Sequence, residues 1–184
     1  RDELWGLIKE TPRLDWLLLT KRPENFSRFL PADWGEGYPN VCLMVTAGLQ
    51  EWAERRIPVL VETPARYRGI SAEPLLGPID FAPWIDRLNW IIVGGESGTS
   101  SRPMEPEWAR GIRDICQETG TPFFFKQWGV WSPTPNPKRE EHRCGNGEIL
   151  HAKGGPLKGG NELDGRHHEE HPFEPAPCRL VAVS

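Results

Sequence analysis

Short apolar runs alternate with amphipathic stretches through residues 1–132. The apolar runs are Trp16–Leu19, Val41–Val45, Tyr67–Ile70, Trp90–Val93 and Phe123–Phe125. Three of them are continuous rather than alternating, which is typical of strands that are buried on both faces of a parallel sheet. The runs therefore predict five strands.

The stretches between the runs carry helical patterns. RDELWGLIKETP reads as a helix before the first run, and Pro23 suits the start of a short helix over ENFSRFL. LQEWAERRIPVLVETP predicts two short helices interrupted at Pro58, and DFAPWIDRL predicts a weak one. EPEWARGIRDICQETG has the clearest helical pattern, with Pro106 near its start and Gly120 as its stop. Strand alternating with helix predicts an α/β fold with a parallel sheet.

Two architectures fit this order, an open doubly wound sheet and a partial (βα) barrel of parallel strands. A complete eight-stranded barrel needs about 250 residues, so residues 1–132 could form only part of one. Residues 133–184 are polar and rich in glycine, and they predict a loop-rich extension packed on the body or trailing from it. A short strand pair is expected around Glu148–Ala152.

Composition narrows the class of protein. All nine tryptophans lie between Trp5 and Trp131, so the body is aromatic-rich and the extension is not. The formal charge of -4 argues against a large basic face for duplex nucleic acid. No apolar run approaches the ~18 residues of a membrane span, and no leader pattern is present. The four cysteines are widely spaced, which favours reduced thiols in a cytoplasmic protein.

Polar residues follow every apolar run. In parallel α/β folds, ligands bind at the carboxyl ends of the strands, where the following loops converge. The candidate binding residues are Thr20, Lys21, Arg22, Thr46, Ser71, Glu73, Gly94, Gly95, Glu96, Ser97, Lys126, Gln127 and Trp128. Lys126 and Glu73 are the most informative, because each adjoins apolar sequence, where an unpaired charge is costly.

For several of these motifs, a purely structural interpretation remains open beside the functional one. GGESG fits a ligand loop or a tight turn, and it does not match a dinucleotide fingerprint. Thr20-Lys21-Arg22-Pro23 fits an anion site or two surface cations. His142 and Cys144 could join His167, His168 and His171 in a zinc set, but their spacing matches no known ligand pattern. No metal site and no catalytic residue is therefore predicted.

A series of motifs occurs in one order along nearly the whole chain: WLLLTKRPENF, RRIPVLVETPA, SAEPLLGPIDF, WIIVGGESG with RPM, PEWARGIRDIC and PFFFKQWGVW. The series resembles the phage and prophage family of gene products thirty-seven and sixty-eight. Those proteins look like radical-SAM enzymes of the three-cysteine type. The resemblance implies a partial (βα) barrel of the radical-SAM or TIM type, here N-terminally truncated.

The resemblance also implies cofactors for a full-length relative: S-adenosylmethionine and an iron–sulfur cluster (4Fe-4S) held by a CxxxCxxC-like motif. This chain contains no such motif, so it is expected to hold no cofactor and to be inactive alone. In CLMVTAGLQ, the strand end at Thr46-Ala47-Gly48 also lacks the carboxylate that would help hold a ribose. Glu73 and Glu96 are expected to contact cofactor or substrate, and the cations an anionic substrate.

The alternative is a non-catalytic module that binds nucleotide or nucleic acid on the same fold. Its phosphate contacts would come from Lys21, Arg22, Arg55, Arg56, Arg66 and Arg68. Exposed tryptophans could then stack bases, whereas the bland interpretation makes the tryptophans core. For both hypotheses, a partial barrel exposes sheet edges, so we expect it to pair with a second copy or with its missing N-terminal half. No membrane partner is expected.

Overall fold

A computed structural model describes residues 2–136, 138–152 and 159–173. Its main sheet has five parallel strands in the order β1-β2-β3-β4-β5. The strands are β1 Trp16–Thr20, β2 Val41–Thr46, β3 Tyr67–Ala72, β4 Trp90–Gly94 and β5 Phe123–Gln127. Each begins at the predicted residue and continues one or two residues further, which confirms the five strands and the parallel sheet.

In the described part of the chain, four α-helices connect or precede the strands. They are α1 Asp2–Glu10, α2 Phe26–Phe29, α3 Gln50–Glu62 and α4 Pro106–Thr119. The predicted break at Pro58 is wrong, because α3 runs through it as one helix. Its buried residues, which include Ala53, Ile57 and Leu60, lie on one stripe against the sheet, and this packing outweighs the single hydrogen bond that proline removes. DFAPWIDRL contains only a 3-10 turn over Ile85–Arg87.

The end of α4 follows the sequence prediction. Gly120 adopts a left-handed conformation with φ of 72°, which a glycine reaches without steric cost. The N–H groups of Gly120 and Thr121 both donate to the carbonyl oxygen of Cys116, so the last turn of the helix is closed. The chain then turns directly into β5 at Phe123.

One face of the sheet is covered by helices, and we call it the helix face. Alternate strand residues such as Leu43, Ile70, Ile91 and Phe125 join a single buried cluster there. Residues from all four helices belong to the same cluster: Ile8, Phe26, Ala53, Ile57, Leu60, Val61, Ala109, Ile112 and Cys116. The four helices therefore pack on the same side of the sheet.

The opposite face, which we call the open face, has no helix residue in its buried cluster. Cys42, Met44, Trp90 and Phe173 form this cluster, with Tyr67, Ile92 and Phe124 partly buried around them. The C-terminal extension supplies the cover over part of it. Trp90 Nε1 donates to the carbonyl oxygen of Glu170 at 2.7 Å, and the ring of Phe173 lies 5.0 Å from that of Tyr67.

The open face is less covered at β1. Trp16 and Leu18 pack towards the helix face, so Leu17 and Leu19 point to the open face. These two leucines are 46% and 52% exposed. An apolar cavity of about 380 Å³ adjoins this edge, with Leu4, Trp5 and Phe29 in its lining.

The extension contains more regular structure than the predicted strand pair. β6 Trp131–Ser132, β7 Glu141–Arg143 and β8 Ile149–Ala152 form an antiparallel sheet in the order β6-β8-β7. β9 Glu162–Leu163 and β10 Arg166–His167 form a hairpin. Asp164 and Gly165, with φ of 53° and 72°, make its two-residue turn, for which Asp-Gly is a preferred sequence. Within the described ranges, no helix has both the length and the apolar character needed to cross a membrane.

Candidate functional site

The predicted binding residues lie at the carboxyl ends of the five parallel strands or directly after them, and therefore at one edge of the sheet. Register brings some of them side by side: Thr46 is opposite Ser71, and Gly94 is opposite Gln127. We call this edge the rim. Ligand sites in parallel α/β folds lie at this edge of the sheet, so the rim is the place to look for one.

An ion pair between Glu73 and Lys126 occupies the rim on the open face. Lys126 Nζ lies 2.8 Å from Glu73 Oε2, and Ser71 Oγ lies 3.3 Å from Glu73 Oε1. Glu73 is largely enclosed, with an 18% exposed side chain, whereas that of Lys126 is 49% exposed. Since an ammonium group has three donors, Lys126 can hold Glu73 and still bind an anion from solvent.

Gly94 makes room for this ion pair. A Cβ atom at Gly94 would lie 3.1 Å from Glu73 Oε2, which is tighter than ordinary packing. The carboxylate therefore lies against the backbone of β4. A side chain at position 94 would require Glu73 to shift by a few tenths of an ångström.

Gln127 adds an unpaired polar atom to the same edge. Its side-chain amide donates to Ser97 Oγ at 3.2 Å. Its Oε1 atom is buried and has no hydrogen-bond partner among the described residues. Gln127 is only 8% exposed. Because buried polar atoms are nearly always paired in folded proteins, this oxygen is a candidate acceptor for a ligand donor.

Glu96 has a partner inside the protein. Arg102 donates through Nε and Nη2 to the two carboxylate oxygens at 2.9 and 2.7 Å, and its backbone N–H donates at 2.8 Å. These bonds lower the pKa of Glu96 from 4.5 to about 2. The sequence series includes Arg102 in RPM but gives it no role. Its bidentate contact leaves Glu96 less available to a ligand than the sequence suggests.

The two adjacent glycines of GGESG have a packing role. A Cβ at Gly95 would lie 1.9 Å from the carbonyl oxygen of Trp128, so only glycine fits where these two loops meet. Gly95 N–H donates to the carbonyl of Gln127, and Val130 N–H donates to that of Glu96. The glycine at position 95 is therefore required by close packing between the loop after β4 and the loop after β5. These bonds also fix the loop that carries Ser97.

Trp128 belongs to the core rather than to a binding surface. It is 3% exposed, its ring lies 5.0 Å from that of Phe125, and its Nε1 donates to the carbonyl of Glu162. A buried indole with a satisfied N–H cannot stack a base. Of the predicted site residues, Trp128 is thus the one with the clearest structural role.

The end of β2 is also closed by protein groups. The carbonyl oxygen of Thr46 accepts a hydrogen bond from Arg56 Nη1 at 2.6 Å, and the guanidinium of Arg56 lies 4.2 Å from the ring of Trp52. A Cβ at Gly48 would lie 1.9 Å from the carbonyl oxygen of Pro74. The Thr46-Ala47-Gly48 sequence is therefore fixed by close packing against the loop after β3.

Lys21 and Arg22 lie at the far end of the rim. Arg22 N–H donates to Thr20 Oγ1 at 3.0 Å, which forms a local turn, and both cationic side chains are exposed. Three strands separate β1 from β5, so these cations do not share the immediate surroundings of Lys126. The geometry gathers Ser71, Glu73 and Lys126, and it leaves Lys21 and Arg22 outside that group.

The described cysteines do not fit an iron–sulfur cluster. Cys42 packs in the open-face cluster, and Cys116 in the helix-face cluster on the other side of the sheet. Burial raises the pKa of both thiols to about 12. Cys144 is buried in the extension, apart from both of these clusters. Cys178 lies outside the described residues.

Comparison with known proteins identifies one family. The model of the family described as "Protein of unknown function (DUF5131)" matches residues 1–172. No curated protein and no solved structure matches the chain. The match therefore spans the five-stranded sheet, the rim and almost all of the described extension.

Proposed function

The chain belongs to the family described as "Protein of unknown function (DUF5131)", and we propose that it forms the later strands of a radical-SAM-like partial (βα) barrel. The function proposed for the intact protein is S-adenosylmethionine-dependent radical chemistry on a substrate bound at the rim. The motif series and the geometry of the rim support the proposal, and the geometry of the sheet carries it.

The single observation that carries the proposal is the sequential order of the strands. Five parallel strands follow one another from β1 to β5, and all four helices pack on one face. A doubly wound sheet reverses direction at a switch point and has helices on both faces. Barrels add each strand in sequence and keep their helices outside. The sequential order therefore favours the barrel alternative over the doubly wound one.

The open face is consistent with a barrel interior. In that reading it is the concave side, and Glu73 and Lys126 project from its carboxyl edge, where barrel enzymes bind their substrates. Leu17 and Leu19 would be covered by further strands that pair with β1. Among the residues that the structure describes, Phe173 and Glu170 cover part of this face.

We assign the rim residues as follows. Lys126 binds an anionic group of the substrate, because its ammonium is half-exposed while tethered to Glu73. Glu73 accepts from an amine or hydroxyl of substrate or cofactor, and the buried Oε1 of Gln127 accepts from a neighbouring donor. None of these roles requires a proton transfer.

The iron–sulfur cluster cannot be held by the cysteines that the structure describes, which lie apart and are buried. When bound in a radical-SAM enzyme, such a cluster supplies the electron for cleavage of S-adenosylmethionine. Under this proposal, its three cysteines belong to residues outside the 184 of this chain. The chain alone is then a substrate-binding portion without catalysis.

The test begins with the complete open reading frame, which should encode three cysteines in a CxxxCxxC-like motif upstream of Arg1. Its product is then reconstituted with iron and sulfide without oxygen, beside the 184-residue chain as control. We expect a cluster absorption band for the longer product and none for the chain. A complete reading frame without the three cysteines, or a product without the band, would overturn the proposal.

The alternative function is a non-catalytic module that binds nucleotide or nucleic acid. The exposed pair Lys21 and Arg22 favours it, since both stand at the carboxyl edge. Against it, Arg56 and Arg68 donate to backbone carbonyls of the chain, and Arg55 pairs with Glu51. Fluorescence anisotropy with short single strands tests this alternative: it predicts binding that weakens with salt, and undetectable or salt-insensitive binding removes it.

A further inference from the structure

A second polar cluster lies away from the rim, where the start of α4 meets the β7–β8 hairpin. It consists of Glu105, His142 and Cys144, whose ligand atoms all lie within 4.8 Å of one another. Glu105 directly precedes α4, His142 is in β7, and Cys144 follows β7. Within the described ranges, this is the one group of three such side chains close enough to hold a metal ion.

The hairpin fixes two of the three ligands. His142 and Cys144 are two residues apart, so an extended chain places both on the same face. Cys144 N–H donates to the carbonyl of Glu148 at 2.8 Å, and the carbonyl of Cys144 accepts from Gly147 N–H at 3.0 Å. Asn146 and its neighbours thus form a tight turn that holds the thiol in place.

The third ligand arrives from a distant part of the sequence. Glu105 is the residue before the first turn of α4, yet its side chain makes no capping hydrogen bond to that helix. Its carboxylate instead reaches the hairpin, with His142 Nε2 at 3.0 Å from Oε1 and Gly145 N–H donating to Oε2 at 2.9 Å. The side chain at the helix-capping position therefore contacts the hairpin and not the helix.

The burial of the cluster is graded. Cys144 is 4% exposed, and the side chains of Glu105 and His142 are 18% and 34% exposed. The thiol is at the protected end, and the imidazole reaches solvent. Burial and the neighbouring Glu105 carboxylate raise the pKa of the Cys144 thiol to about 11. A cation bound between the Cys144 thiolate and the Glu105 carboxylate would offset the repulsion between these two negative groups.

We propose that Glu105, His142 and Cys144 bind one zinc ion. Thiolate sulfur, imidazole nitrogen and carboxylate oxygen are the ligands of protein zinc sites, and three protein ligands with one open position leave room for a water. Gly145 N–H serves as an outer-shell donor that orients the Glu105 carboxylate. Binding displaces the thiol proton of Cys144 to solvent, so the site gains a thiolate and the buffer gains a proton.

The ion would join the hairpin to α4, next to the strand that leads into the extension. Trp131 of β6 lies against His142, with ring centroids 6.0 Å apart, so the site is part of the packing of this small sheet. The sequence alone suggests a zinc set in which His142 and Cys144 join His167, His168 and His171. The structure replaces those three histidines with Glu105.

The test uses the intact chain, freed of metal by a chelator, and cobalt(II) as a spectroscopic probe. We expect one equivalent to bind with tetrahedral d–d bands and a thiolate-to-cobalt charge-transfer band, and zinc chloride to abolish both. Cys144→Ser should lose the charge-transfer band, and His142→Gln should weaken binding about ten-fold or more. His167→Gln, an exposed histidine of β10, is the matched control and should bind normally.

Thermal unfolding gives a second readout that does not depend on cobalt. At a hundred-fold excess over Kd, zinc should raise the unfolding midpoint of the wild type by roughly 5–10 °C. It should leave that of Cys144→Ser unchanged, and circular dichroism checks that this variant is folded. The proposal would be overturned if zinc formed no stoichiometric complex with the wild type. It would also be overturned if binding survived both ligand substitutions but was lost in a variant lacking His167, His168 and His171.

Discussion

The two faces of the five-stranded sheet use alternate residues of the same strands for different purposes. On the helix face, Phe125 and Ile91 are fully buried among residues of four helices. On the open face, their neighbours Phe124 and Ile92 are only partly buried, and Glu73 and Lys126 form an ion pair at the carboxyl edge. Packing on the helix face supplies most of the buried core, so the open face can have polar residues at its carboxyl edge.

The largest expected effect comes from Phe125→Ala on the helix face. Loss of a fully buried phenylalanine should lower the free energy of unfolding by about 3–5 kcal/mol. Phe124→Ala is the matched change on the open face, one residue away in β5. It removes a partly buried ring in edge contact with Trp90 and should cost about half as much. Urea unfolding measures both, and equal losses would contradict the contrast between the faces.

A smaller loss of folding stability is expected at acidic pH. The pKa of Glu96 is lowered from 4.5 to about 2 in the folded protein, so its contribution to stability is complete above about pH 4.5. It is lost as the pH falls towards 2, because the unfolded carboxyl binds its proton first. Arg102 is 61% exposed, so solvent screens the pair and keeps its contribution far below that of a buried ion pair.

Glu96→Gln is the variant that isolates this contribution. Its unfolding free energy, followed by urea titration at several pH values, should fall less steeply between pH 4.5 and 2 than that of the wild type. Glu118→Gln, at an exposed position of α4, should reproduce the wild-type slope. Identical slopes for Glu96→Gln and the wild type would show that Arg102 does not hold this carboxylate in solution.

The rim ion pair should contribute still less to stability. A double-mutant cycle with Glu73→Gln and Lys126→Met should give a coupling energy of at most about 1 kcal/mol, because Lys126 is half-exposed. A coupling of several kcal/mol would mean that the pair is a structural element of the open face. A small coupling fits a pair that is held ready for a ligand.

The smallest change in folding free energy is expected at the exposed end of the open face. Leu17→Ser combined with Leu19→Ser should alter it by about 0.5 kcal/mol or less, since both side chains are half-exposed. The same change should reduce self-association, which light scattering measures against protein concentration. A wild-type chain that stays monomeric at all concentrations would contradict our expectation that this face pairs with another surface.

The five strands could be predicted because each is a compact apolar run with polar residues directly after it. The position of the rim residues at one sheet edge followed from the same pattern, whereas the ion pair between Glu73 and Lys126 was not predicted, because it depends on how β3 and β5 lie in space. The continuity of α3 through Pro58 could not be predicted, because tertiary packing of its buried stripe outweighs a local signal.

The extension was harder to predict for a different reason. β6 and β9 are two residues long, too short to show a periodicity in the sequence. The partner of Glu96 is local, and the sequence alone could have suggested Arg102 six residues later. Glu105 and His142 are separated by 37 positions, so nothing short of the fold could join them.

The most direct test of the rim uses the reconstituted product of the complete open reading frame. With reductant and S-adenosylmethionine, the wild type and the control Glu118→Gln should release 5′-deoxyadenosine. Glu73→Gln and Lys126→Met should keep the same cluster band but release about ten-fold less or lower still, because the rim then no longer holds the charged groups of S-adenosylmethionine. Equal release by all four proteins, or no release by the wild type, would contradict the account.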